Sequence, residues 1–149
     1  MRGRINPSLE SLNALSAIYD WIPNEHTIRP TDADLVIKRR RMAEIEATWP
    51  SVKDFIKHSV FNDLLEPPHW IFKQSIFRYN LPNHSNHYVL WFSNEHYYYE
   101  FPDDVINHHL DLMIKNECGH NNFMYAWYKN PKPTVIDFWH VQVFWCSTN

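Results

Sequence analysis

Along this chain the spacing of apolar residues changes period near the middle, at Pro67-Pro68. Ahead of that pair the apolar positions recur at helical intervals. Leu9, Leu12, Leu15, Ile18 and Tyr19 predict a short amphipathic helix over 7–21, with Asn6 or Ser8 as its cap. A turn at Pro23-Asn24 and a loop to Pro30 lead to a stronger signal. There Thr31-Asp32-Ala33-Asp34 reads as a capping box, and Leu35, Ile37 or Lys38, Met42, Ile45 and Trp49 continue the stripe. Pro50 stops this helix, because proline lacks the amide donor and crowds the preceding turn. Ser51 then caps a third, whose buried side is expected to be Val52, Phe55, Ile56, Ser59, Val60 and Leu64.

Beyond Pro68 the runs become rich in aromatic and β-branched residues, which pack well on a pleated surface. Residues 70–79 predict a strand or strand pair, 81–86 a polar turn and 87–92 a central strand. Phe101-Pro102-Asp103-Asp104 opens a helix with Val105, Ile106, His109, Leu110, Met113 and Ile114 on its apolar side. Gly119 suits its exit, since glycine alone enters the left-handed region without a Cβ penalty. Residues 123–128 and 136–145 complete the strands, the last as one long run or with a bulge. The fold class that follows is α+β, with N-terminal helices packed against a mainly antiparallel sheet and the helix near Pro102 inserted between strands. One domain over 1–149 is expected, with a helical layer at 7–66 and a strand-rich layer at 69–146.

Composition narrows the classes of function. A chain of 149 residues that is 44% hydrophobic can bury one substantial core and offset its chain entropy. A net charge of −3 gives no field to attract duplex nucleic acid, so such a partner is not expected. The run Lys38-Arg39-Arg40-Arg41 points around its helix in several directions and is followed by Glu44 and Glu46, the pattern of a solvated face. Two glycines are too few for a P-loop or a dinucleotide fingerprint, and two cysteines, Cys118 and Cys146, read as free thiols. No uninterrupted apolar stretch reaches membrane-spanning length, and the expectation is a soluble protein of the cytoplasm or nucleocytoplasm, without membrane contact.

The candidate chemistry lies on the strands. Imidazole serves as acid, base or nucleophile near neutral pH, which makes His87 and His140, on two neighbouring strands, the candidate catalytic pair. Gln142 shares the face of His140, whereas Asp137, three residues earlier, falls on the other. Gln142 and Lys129, with Trp91 and Asn86 beside the first histidine, form the candidate ligand-binding set for a phosphate or sugar hydroxyl. Tyr97-Tyr98-Tyr99 with His96 offers stacking surface, but alternate residues of a strand face opposite sides. Histidines at 84, 87, 96, 108, 109 and 120 and Cys118 lack zinc-ligand spacing, so neither a metal nor a cofactor is expected.

The array of 87–92, then Trp127-Tyr128-Lys129-Asn130, then Phe138-Trp139-His140-Val141-Gln142-Val143 resembles the fungal N-acetylglucosamine-induced protein family. With the helical stretch 34–62 the likeness covers about three quarters of the chain by motif order. Trp139 stands where that family has phenylalanine, and Gln142-Val143-Phe144 ends differently. No established reaction comes with the resemblance. His140-Val141-Gln142 is also faintly similar to the histidine-triad and nucleotidyl-transferase group, although Phe138 occupies the preceding triad position. The expected function is a small-ligand domain handling a phosphorylated sugar or nucleotide. The competing class is a non-enzymatic interaction protein or homodimer with an exposed aromatic surface.

Overall fold

The structure is a computed structural model and describes residues 3–5, 32–75, 85–95, 100–129 and 137–147. The helix expected over 7–21, the tyrosine triplet, His84 and His96 lie outside the described residues. In chain order the elements are β1 (Gly3–Ile5), α1 (Asp32–Thr48), α2 (Val52–Ser59), β2 (Trp70–Gln74), β3 (Asn86–Glu95), α3 (Asp103–Cys118), β4 (Phe123–Tyr128) and β5 (Phe138–Ser147). The sheet order is β1-β4-β5-β3-β2. The β2-β3, β3-β5 and β5-β4 pairs are antiparallel, and β1, a strand the hydrophobic pattern did not signal, runs parallel to β4 at one edge.

Helices cover both faces. On one, Ile106, Leu110 and Ile114 of α3 pack against Leu90, Phe123, Tyr125, Trp127, Trp139, Val141, Val143 and Trp145. Removing the Leu110 side chain, which is fully buried, is worth about 2–5 kcal/mol of stability. The acidic pair Asp103 and Asp104 sits in the first turn of α3, where it complements the helix dipole, and Gly119 closes the helix at φ 80°. On the opposite face Ile45 of α1, Phe55 and Ile56 of α2, and then Val60 and Phe61, pack on Val89, Trp91 and Phe138.

Two local expectations change. The inward stripe of α1 runs through Lys38 and not Ile37, which is 63% exposed. Leu64 is exposed as well, because Asn62 and Asp63 both take left-handed backbone and turn the chain out of α2 before reaching it. Ser51 caps α2 as its position suggested, its Oγ accepting from the Asp54 amide. The irregularity anticipated in the last strand belongs to its neighbour: β3 advances from Trp91 to Glu95 while β5 moves only between His140 and Phe138.

Candidate functional site

Strand alternation sorts the candidate residues before any contact is considered. His87, Val89 and Trp91 of β3 share a face with His140, Gln142 and Phe144 of β5, in the register His87↔Phe144, Val89↔Gln142 and Trp91↔His140. The two histidines are therefore on one face but at opposite ends of the row, about 13 Å apart along the strand. Each has an aromatic ring across from it. The His87 ring stacks on Phe144 with centroids 4.9 Å apart, and His140 lies 4.6 Å from Trp91.

Gln142 occupies the middle of the row. Its Oε1 accepts from His87 Nε2 at 2.6 Å, and since a carbonyl oxygen only accepts, that contact fixes His87 as the Nε2–H tautomer. Burial brings the His87 pKa down to about 4, against the smaller upward pull of the Gln142 bond, so the ring is neutral at pH 7. At the other end the Nδ1–H of His140 donates to the Phe138 carbonyl at 2.9 Å, which leaves the lone pair on Nε2. Burial lowers the His140 pKa too. The Phe138 bond opposes that shift, and the nearby Lys129 ammonium adds to it. Lys129 is itself pushed down by burial and partly restored by Glu100.

His140, Trp91 and Lys129 thus fall at one end of the row and His87 at the other, with Gln142 between them. His87, His140 and Gln142 are all buried, and each ring packs on one aromatic neighbour, His87 on Phe144 and His140 on Trp91. Asn86 does not join the group. One step before His87 on the strand, it faces the α3 side, and its Nδ2 donates to the Trp145 carbonyl at 3.2 Å.

A second polar network occupies the α3 face. Asn107 Oδ1 accepts from Trp127 Nε1 at 2.9 Å, while the Tyr125 hydroxyl lies 3.2 Å from the Asn107 carbonyl and 3.1 Å from Asp111 Oδ1. The available sequence signal was a polar residue at core spacing with Leu110 and Ile114. Its donors and acceptors are matched to one another, which is the arrangement of a packing network. His120 and Ser147 also meet, at 3.1 Å. Because His120 Nδ1 accepts from the Asn122 amide, Nε2 carries the proton and donates to the serine, the wrong tautomer for a general base. Among the described residues no group of three or more His, Cys, Asp or Glu is placed to hold a metal ion, and no helix is long and apolar enough to cross a membrane.

No protein-family model, curated protein or solved structure matches the chain.

Proposed function

We propose that this domain binds a small phosphorylated ligand, a sugar phosphate or a nucleotide, between Gln142 in the middle of the buried polar row and His140 and Lys129 at its end. The observation that carries the reading is Gln142. Its side chain is buried with only Oε1 engaged, and the amide nitrogen makes no hydrogen bond among the described residues. That nitrogen is not sealed from solvent, and it can donate to a ligand oxygen without disturbing the bond to His87. Beside it the Nε2 lone pair of neutral His140 accepts from a ligand hydroxyl, and Lys129 supplies the charge for a phosphate.

The reading is one of binding. His87, expected to act as an acid or base, is committed through its Nε2–H to Gln142 and serves to orient that carboxamide. The fungal family resemblance is compatible with a ligand of this class but adds no residue to the site. The test is ligand-detected NMR with inorganic phosphate, a hexose phosphate and AMP, run on the full chain and on Gln142→Leu and His140→Ala. Binding should weaken by tenfold or more in Gln142→Leu, since a donor to a charged group is worth about 1.5–3 kcal/mol. Equal binding by the folded variants, or none by the native chain at millimolar probe, overturns the proposal.

A further inference from the structure

Among the described residues β2 is the last strand of the sheet, and its outer edge faces no further strand. Ser93 N–H donates to the His69 carbonyl and Ser75 N–H to that of His87, so the residue pairs at 69 and 75 are hydrogen-bonded pairs of the β2-β3 ladder. Bonded and non-bonded pairs alternate along an antiparallel ladder. Ile71 and Lys73 consequently turn their backbone groups toward β3, and Trp70, Phe72 and Gln74 turn theirs outward. Those outward N–H and C=O groups meet no partner among the described residues.

Proteins commonly guard such an edge with a charge, a proline or a bulge. Over Trp70–Gln74 the register is unbroken, and the prolines at 67 and 68 precede the strand. The strand's lysine is turned away from the edge, its Nζ donating to the Ser59 carbonyl at the end of α2 at 3.0 Å. Nothing in the strand itself blocks a further strand from adding.

We propose that β2 pairs with β2 of a second copy of this chain, antiparallel, about a two-fold axis at Phe72. The run pairs with its own reverse without opposing like charges. Trp70 meets Gln74 of the other copy and Phe72 meets its own equivalent, so every outward N–H faces an outward C=O. On one face of the joined sheet the central pair is aromatic. On the other Ile71 lies opposite Lys73, so no like charges face each other. The aromatic pair at the axis and the placing of each Lys73 against an apolar Ile71 favour a second copy over an unrelated extended peptide.

The discriminating substitution is Gln74→Pro. Its amide points outward and its side chain is exposed, so proline removes no bond to β3 and no core contact. Sedimentation equilibrium of the native chain should give twice the 18.1 kDa chain mass, with dilution returning the single chain. Gln74→Pro removes the same bond at two symmetry-related places and should weaken the dimer by about thirty-fold, while Gln74→Ala keeps it. Should the proline variant fail to fold, amide exchange of the native chain decides. Protection at Trp70, Phe72 and Gln74 should fall with dilution. A native chain that remains single at every concentration overturns the proposal. So does a dimer unaffected by a folded Gln74→Pro variant, or edge protection that persists in the single chain. None of these readouts depends on ligand binding, so failure here and failure of the site reading are separable.

Discussion

Replacing His87 with glutamine tests how the polar row responds to acid. The native ring is stacked on Phe144, bonded to Gln142 and almost fully enclosed, and burial takes its pKa from 6.5 to about 4. In the unfolded chain the same imidazole titrates near 6.5. Above pH 6.5 both states are neutral and the group exerts no pH-dependent effect. Between 6.5 and about 4 the unfolded state binds the proton first, so stability falls as the pH falls, levelling once the folded ring also protonates. At about 1.4 kcal/mol per pH unit, that window corresponds to a loss of roughly 3 kcal/mol. His140 adds to the slope in the same direction, because its pKa is lowered too. Urea unfolding midpoints of the native chain and of His87→Gln, measured from pH 7.5 to pH 4, should diverge. The variant keeps a donor for Gln142 and loses most of the slope. A parallel pair of curves, or an NMR titration of the His87 ring at 6.5 or above in the folded protein, would refute the burial argument.

Two further substitutions probe the scaffold. Asn107→Leu should destabilise by about 1–3 kcal/mol in urea unfolding, since Trp127 Nε1 loses its acceptor within the core; an unchanged midpoint would mean that water or another group takes over that donor. Gly119→Ala should cost about 1 kcal/mol although a Cβ there meets nothing within 4 Å, because the expense is the left-handed backbone alone, and Gly119→Asn should recover part of it.

Much of the architecture was legible from local patterns. The Ser51 cap, the Gly119 exit and the change of period after Pro68 are set by residues close in sequence, and each appears where the pattern placed it, whereas the last strand, expected over 136–145, runs from Phe138 to Ser147 and is buried almost throughout. Alternation also placed His140 and Gln142 together and Asp137 apart from them. Local pattern was weaker where one turn redirects a helix end: Leu64 fits the α2 stripe by spacing, yet the left-handed pair at Asn62 and Asp63 carries it into solvent.

The candidate site drew on both levels. The chain alone determined that imidazoles and a carboxamide would project from strands, because side-chain direction follows the backbone's two-residue repeat. Only the tertiary structure decided their chemistry. Register set His87 against Phe144 and His140 against Trp91, and the bond between His87 and Gln142 spans 55 residues of sequence. Enclosure then held both rings neutral. Pairing partners and protonation depend on which distant groups exclude water from a given atom, and that is a property of packed layers, invisible to any window along the chain.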